Sequence, residues 1–360
     1  MNILHTETLK RWGGQQNRVL AEAAGLNKRG HHVIIACHKG SILAAKAKQA
    51  GVKVYELNMV KQAYLKTIPQ LMNIIKQENI DLVSTHSSVD SWAGGLAAKL
   101  TGRRLVRFRH NLYPVGRGIL AKFIYSIPDR IITISKAVSD VLIQCGLKKE
   151  RLTVIHSAVN ERLFAPEIED IKKELGIPHD TLIIGNTSTF TEVKGQEYLL
   201  QAFNIICNKF PCILLFAGSL EEPFKTQYLS HVDKELRDKV VFLGHRDDIP
   251  RILKTLDVFV FPSVLEGLGT ALLEAMAAGR PVVVSDIPTF KDFIEDKMNG
   301  LYFKAGDAED LAEKVVALLQ DKELRNSLGR NARASVLERF TLEKMLDLTE
   351  ARYREVLDAS

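Results

Sequence analysis

The stretch DVFVFPSVLEGLGTALLEAMAAGRPVVVSD, residues 257–286, changes pattern three times. Val258 to Phe261 is a continuous apolar run, as expected of a parallel-sheet strand covered on both faces. Glu266, Gly267, Leu268 and Gly269 form a loop at its carboxyl end. Thr270 is placed to cap the helix that follows, and Gly279 with Pro281 ends that helix before the next apolar run begins at Val282. Strand, helix, strand in this order is the repeating unit of a doubly wound sheet.

Working outward, the alternation continues in both directions. Upstream, NILHT, HHVIIAC, VKVYEL, DLVSTH, RLVRFRH, RIITIS and LTVIHSAV are separated by helical patterns; in the second half LIIGNTS, CILLFAGS, VVFLGH, PVVVSD and GLYFKA do the same. A chain of 360 residues exceeds what one core usually serves, so two tandem Rossmann-like α/β domains are expected. The strand pattern lapses and a proline enters in VIHSAVNERLFAPEIED, which places the boundary near Phe164: an N-terminal domain over 1–163 and a C-terminal domain over 164–340. Residues 341–360 predict a terminal helix, with Met345, Leu348, Tyr353 and Leu357 at helical spacing on an apolar face.

Composition fits a globular enzyme, at 46% hydrophobic and 26% charged residues. The net charge of +6 conceals an asymmetry, because residues 1–165 carry 25 Lys+Arg against 10 Asp+Glu, whereas the remainder carries 24 against 33. The two halves face different partners, or the basic one faces a polyanion or an anionic membrane. The pI near 9.0 also admits nucleic-acid binding, but the basic half shows no stacking-aromatic pattern or recognition motif, so no nucleic-acid partner is expected. The four cysteines and ten histidines show no metal-ligand spacing, so no metal is expected. The opening MNILHTETLK turns polar too early for a signal-peptide core, and no run of about 18 apolar residues occurs, which predicts a cytoplasmic protein. No GxGxxG follows the first strand, against a nicotinamide-dependent dehydrogenase.

Ligands of open α/β sheets bind off the carboxyl ends of strands, where the Glu266 loop lies. On a helical wheel Leu272 and Met276 fall opposite Glu274, while Thr270, Ala271, Ala277 and Ala278 flank it, leaving room for a ligand. A carboxylate accepts hydrogen bonds from sugar hydroxyls, and the amides of Gly267 to Gly269 at a helix start can take a phosphate. A solvated helix residue and a loop charge account for the two glutamates equally well. In TFTEVKGQEYLLQAF, Lys194 precedes a helix start, opposing the dipole by about 0.3–1 kcal/mol unless an anion is held there; a solvated lysine in a turn is the plainer alternative. Gly13 and Gly14 permit either close backbone approach or a tight turn. Arg107 and Arg109 share one face of a strand ending at His110, with Arg103, Arg104 and Arg117 nearby: either an anion site or a solvated basic edge strand.

The glutamates Glu266 and Glu274, separated by seven residues, together with the Gly13–Gly14 turn, RGHHV, STH, RFRHN, VKGQEYLLQAF and NGLYFKAGDAEDLAEKV, resemble a family 4 retaining glycosyltransferase of the GT-B fold over essentially the whole chain. The resemblance implies two Rossmann-like domains with a cleft between them and a last helix that crosses back onto the first. It implies that Glu266 contacts the donor sugar, with Gly267, Leu268, Gly269 and Thr270 approaching sugar and phosphate. Glu274 would hold the ribose, Lys194 the diphosphate and His110 the sugar pocket. Gly14 would approach the diphosphate from the first domain beside Gly13, and backbone around Gly244 in LGHRDD would meet the base. No metal or other cofactor is implied, since a lysine and helix ends would stabilise the departing diphosphate. The partners implied are a nucleotide-sugar donor and an anionic glycolipid or saccharide acceptor, with peripheral association at the inner face of an anionic membrane. The wording HTETLKRWGGQQNRVLAEA resembles transferases that build lipopolysaccharide in the cell envelope. A nucleotide-sugar epimerase on the same fold is the alternative. Two departures stand out: Ser188 and Thr189 occupy the region where the family often has an arginine, so that the diphosphate rests on fewer cations or Arg109 or another arginine enters from elsewhere, and HSAVN replaces the usual Asn-Gly-Val-Asp.

Overall fold

The structure, a computed structural model, describes the chain except Arg117, Pro166 and Ser360. Its internal contacts divide it into two units, Met1–Ala158 with Leu342–Ser360, and Val159–Thr341. Phe164 is buried within the second unit and its carbonyl accepts from Arg333 Nη1 at 2.7 Å, so the passage between units precedes it, at Ala158.

The first unit runs β1 (Asn2–Glu7), α1 (Gly14–Lys28), β2 (His32–His38), α2 (Ile42–Gln49), β3 (Lys53–Leu57), α3 (Tyr64–Gln77), β4 (Leu82–Thr85), α4 (Ser88–Leu100), β5 (Arg104–Arg109), α5 (Ile119–Ser126), β6 (Arg130–Thr133), α6 (Lys136–Gln144) and β7 (Leu152–Val154). The strands form one parallel sheet in the order β3-β2-β1-β4-β5-β6-β7. Strand β5 is therefore interior, not an edge. Arg107 on it is buried and its guanidinium lies 3.9 Å from the centre of the Tyr125 ring, which removes Arg107 from any solvated or acceptor-binding face.

The second unit runs β8 (Leu182–Asn186), α7 (Gln196–Lys209), β9 (Cys212–Phe216), α8 (Phe224–Leu229), β10 (Val240–Phe242), α9 (Ile249–Thr255), β11 (Val258–Phe261), α10 (Thr270–Ala277), β12 (Val282–Ser285), β13 (Leu301–Phe303), α11 (Ala308–Gln320) and α12 (Lys322–Arg339). Its six strands are ordered β10-β9-β8-β11-β12-β13, again parallel where paired. The apolar runs behave as their composition requires: every residue of β11 and β12 is buried.

A final helix, α13 (Leu342–Asp358), belongs to the first unit and packs on α1. Met345, Leu346, Tyr353 and Val356 are its buried face, each worth at most roughly 1.5–3 kcal/mol of apolar transfer. Leu348, expected on that face, is 56% exposed, because the packed stripe turns through Leu346 instead. Gly25 makes the approach possible: a Cβ there would meet Leu346 Cδ1 at 2.4 Å. At the rim, Arg29 pairs with Glu343, Asp347 and Glu350, and Glu350 is held down to about 2 by hydrogen bonds from Arg354, His31 and Arg29 despite some desolvation. The amino-terminal half of α13 is thereby tied into a unit carrying 27 Lys+Arg against 14 Asp+Glu.

Candidate functional site

Each sheet has one place where strand order reverses. It lies between β1 and β4 in the first unit and between β8 and β11 in the second. Chain leaving such a pair diverges to opposite faces and opens a crevice at the carboxyl ends. Lys194, Glu266 and the Gly267–Thr270 loop lie at the second of these places and Gly13 and Gly14 at the first, while Arg109 ends the neighbouring β5, His110 follows it and Gly244 follows the edge strand β10.

In the second unit, Lys194 ends a short 3₁₀ turn (Glu192–Lys194) after β8, and Glu266 lies in the loop after β11. Backbone bonds from Val264 and Leu265 to the Val193 carbonyl tie the two loops together. Lys194 Nζ forms an ion pair with Glu266 Oε2 and stands 5.2 Å from the centre of the Phe261 ring. The Thr289 hydroxyl donates to the Glu266 carbonyl at 2.5 Å, anchoring the loop from behind. A cation and a carboxylate are thus presented side by side, the first suited to phosphate oxygens and the second to hydroxyls. Gly195, between Lys194 and α7, has φ +64°, and a Cβ there would lie 2.2 Å from the Pro262 carbonyl oxygen. Glycine is therefore required both by backbone conformation and by the close approach of the two loops.

Gly269, not Thr270, occupies the N-cap of α10: its φ of +90° is left-handed, and Thr270 is the first helical residue with no side-chain cap. The amides of Leu268, Gly269 and Thr270 donate to no carbonyl among the described residues. Glu274, one turn on, is partly buried, and burial alone pushes its carboxyl up to about 7; no side-chain hydrogen bond to it exists among the described residues. Of its expected flanking residues, Ala277 is fully buried while Thr270, Ala271 and Ala278 are partly open. Ser188, one of the two residues that stand in place of the expected arginine, is buried, donating to Asn186 Oδ1 at 2.5 Å and accepting from Gln196 Nε2 at 3.1 Å; Thr189 is exposed. Gly244 has φ +67° and open space around its absent Cβ, and its carbonyl accepts from Gly218 N at 2.8 Å, joining the loops after β9 and β10.

In the first unit, Gly13 caps α1 in an extended conformation (φ −173°), and a Cβ there would meet nothing nearer than 3.4 Å. Neither the turn nor packing within the chain demands a glycine at that position. Gly14 is the first residue of α1. Arg109 is partly buried and its Nη2 donates to the Tyr113 carbonyl; Arg117 lies outside the described residues.

His110 ends a chain of imidazoles. His5 Nδ1 is 2.8 Å from His86 Nε2, and His86 Nδ1 is 3.1 Å from His110 Nε2. The far end is polar and sealed: His5 Nε2 faces Glu22 Oε1 at 3.5 Å, Tyr353 donates to the same oxygen at 2.5 Å, and Arg18 Nε lies 3.6 Å from Glu22 Oε2. A nitrogen facing a carboxylate carries the proton, since two lone pairs would repel. His5 Nδ1 then accepts from His86, His86 Nδ1 accepts from His110, and His110 Nδ1 is left as an acceptor. Burial, before any neighbouring charge, lowers all three imidazoles, so they remain neutral and the order is kept. Two buried carboxyls lie close by. Glu7 accepts the amides of Thr8 and Leu9 at 2.7 and 2.9 Å, and Asp90, pushed up to about 7 chiefly by burial, accepts from His86 N at 2.6 Å. Sequence reasoning found His86 and His110 only through STH and RFRHN, and missed His5, Glu7, Glu22 and Asp90, because each sits in an apolar run or on a helix distant in sequence from its partners. Among the described residues no three His, Cys, Asp or Glu side chains are grouped to hold a metal ion.

Residues 12–163 match the family described as Glycosyltransferase Family 4, and residues 167–335 match Glycosyl transferases group 1. The chain is 27% identical over 298 residues to N-acetyl-alpha-D-glucosaminyl L-malate synthase of Bacillus anthracis, covering 80% of this chain and 78% of that protein. It is 27% identical over 310 residues to the UDP-Gal:alpha-D-GlcNAc-diphosphoundecaprenol alpha-1,3-galactosyltransferase of Escherichia coli, covering 81% and 80%. The crystal structure of Anabaena HepE in complex with UDP superposes with a TM-score of 0.86 at 21% identity, over 99% of this chain and 100% of that one.

Proposed function

This chain belongs to the group 1, family 4 glycosyltransferases, with the GT-B fold of two parallel-sheet Rossmann-like domains, and from that premise we propose that it moves a sugar from a nucleotide-diphosphate donor to a hydroxyl of an anionic, lipid-linked saccharide with retention at the anomeric carbon. The observation that carries the donor half is the Lys194–Glu266 pair at the switch point, with the unpartnered Glu274 carboxyl one turn beyond the Gly267–Gly269 loop. Support for the nucleotide comes from HepE, solved with UDP, and from the E. coli relative, whose name specifies UDP-Gal. The name of that same relative specifies a diphosphoundecaprenol-linked sugar, and that of the B. anthracis relative a glucosaminyl L-malate, and both groups are anionic.

In this reading Lys194 and the free amides of Leu268 to Thr270 hold the diphosphate, Glu266 accepts from donor-sugar hydroxyls, and Glu274 accepts from the ribose. His110 Nδ1 accepts from a sugar hydroxyl. The bond from the anomeric carbon to the phosphate oxygen breaks as the acceptor oxygen bonds to the same face of that carbon, and the acceptor proton passes to the departing phosphate oxygen. Charge developing on that oxygen is met by a preformed cation and amide dipoles, so no metal ion is needed in this scheme. The first unit turns α5 toward solvent with Ile119 at 86%, Leu120 at 70% and Phe123 at 43% exposure beside Lys122. An apolar face on a unit with a net charge of +13 suits an anionic membrane surface, where a lipid-linked acceptor of cell-envelope or lipopolysaccharide synthesis would lie. No helix among the described residues is long and apolar enough to cross a membrane.

The test is a transfer assay with UDP-, GDP- and ADP-sugars and a diphosphoundecaprenol-linked sugar in anionic vesicles, with EDTA present, and the product linkage assigned by NMR. A product with the donor's anomeric configuration is expected. An inverted linkage, or a requirement for metal, overturns the mechanism; conversion of the donor sugar without acceptor would favour an epimerase.

A further inference from the structure

The amino end of the second unit's sheet holds a cavity of about 390 Å³ that the donor reading does not use. Asp257 immediately precedes β11 and Pro281 precedes β12, and both line it. The Lys194 and Glu266 loops follow the carboxyl ends of β8 and β11. A strand of four residues at roughly 3.3 Å per residue, about 13 Å, separates the two ends.

Six cationic side chains line the cavity, Lys254, Arg280, Lys322, Arg325, Arg330 and Arg333, against the single carboxyl of Asp257. Three of the guanidinium groups are fixed in place by backbone. Arg280 donates from Nη1 to Leu256 O at 2.9 Å and from Nε to Ala278 O at 3.2 Å. Arg325 donates from Nη1 to Leu318 O at 2.9 Å, and Arg333 from Nη1 to Phe164 O at 2.7 Å. These carbonyls end α9, α10 and α11 or belong to the linking segment, and cations at helix carboxyl ends are favourable. Capping accounts for the Nη1 atoms and for Arg280 Nε. The Nη2 atom of each of the three makes no hydrogen bond among the described residues, and none of these arginines, nor Lys322 or Arg330, forms an ion pair there. Burial lowers the Arg280 guanidinium, and the nearby Asp257 charge acts in the opposite direction without reversing it.

We propose that this cavity is a second anion site, taking a phosphate or diphosphate group. Three guanidinium groups held by backbone lose little freedom on binding, and their Nη2 groups are left to donate to phosphate oxygens. The surplus of cations over the one carboxyl favours a multiply charged group, and the volume leaves room for what the phosphate is attached to. The group could arrive on a soluble compound or on a lipid headgroup, which share this chemistry. The inference does not depend on the donor site.

The test starts from the Lys194→Ala protein, which lacks the cation proposed for the donor diphosphate. Inorganic pyrophosphate is titrated calorimetrically into it, and vesicles of phosphatidylcholine containing phosphatidic acid are sedimented with it. Binding of pyrophosphate is expected if the source is soluble, and of the vesicles if it is lipid. In either case further Lys322→Ala and Arg330→Ala changes, at exposed rim positions, weaken binding at least tenfold, and the affinity falls steeply with salt. Binding of neither probe, or binding that the rim substitutions leave unchanged, overturns the proposal. Pyrophosphate binding present in the wild type and abolished by Lys194→Ala would assign the anion to the donor loops and overturn it too.

Discussion

Replacing Tyr353 by phenylalanine probes the junction on which the first unit's histidine chain rests. The side chain is fully buried, and its hydroxyl lies 2.5 Å from Glu22 Oε1 and 3.2 Å from Ser84 Oγ. The ring is kept, so no cavity forms; what is lost is a hydrogen bond to a buried carboxylate, about 1.5–3 kcal/mol. Glu22 is then left with Arg18 at 3.6 Å and His5 at 3.5 Å, both too long to replace it. A unit of this size shifts by roughly 2–4 °C per kcal/mol, so its melting transition should fall by about 3–12 °C. Hydrogen exchange followed by mass spectrometry localises the loss. Peptides from α1, β1, β4 and α13 should exchange faster, while those from β8 to β12 keep their protection. A melting change under about 1 °C, or protection lost equally in both units, would refute the account of this junction.

Glu274→Gln should act on stability and binding in opposite directions. A carboxyl raised to about 7 in the folded chain, from an ordinary value of 4.5, contributes stability that is full below 4.5 and lost as pH rises through 7. The variant should therefore gain about 1–3 kcal/mol over wild type at pH 8, a figure reduced for partial exposure, and show no such decline in thermal melts from pH 5 to 8. Its donor affinity should fall at least tenfold, and equal melting curves for the two proteins would remove the buried-acid assignment. Gly195→Ala must place a methyl 2.2 Å from the Pro262 carbonyl at a left-handed φ; a loss of roughly 1–3 kcal/mol in chemical denaturation, with weakened donor binding, is expected. Serine at Ile119 and Leu120 should cut sedimentation with anionic vesicles several-fold while leaving the melting temperature within about 2 °C, because these two side chains are 86% and 70% exposed.

The strands were legible because a doubly covered parallel strand is written as a continuous apolar run, as in VFVF and PVVVS, and turn residues separate the runs. Lys194 and Glu266 were legible as neighbours of strand ends, where topology brings separate loops together. The pairing between them was not, since nothing local in either loop encodes the other. Arg107 misled for a related reason: alternation places it on a face, but stacking on Tyr125 from α5 buries a charge that the pattern suggests is solvated. Leu348 misled because a wheel fixes relative angles without fixing which stripe meets α1. Thr270 is a favoured cap residue, yet the left-handed Gly269 takes the cap, as the close aromatic neighbours Phe261 and Phe290 leave no room for a side chain there.

The account turns on whether the loops after β8 and β11 hold a nucleotide-sugar donor. Calorimetric titration of UDP, GDP and ADP into wild type, Lys194→Ala and Glu274→Ala, with EDTA present, tests it most directly. One nucleoside diphosphate should bind saturably to wild type, with each substitution weakening it at least tenfold, about 1.4 kcal/mol or more. Binding that both substitutions leave intact, or no binding of any of the three, would contradict it.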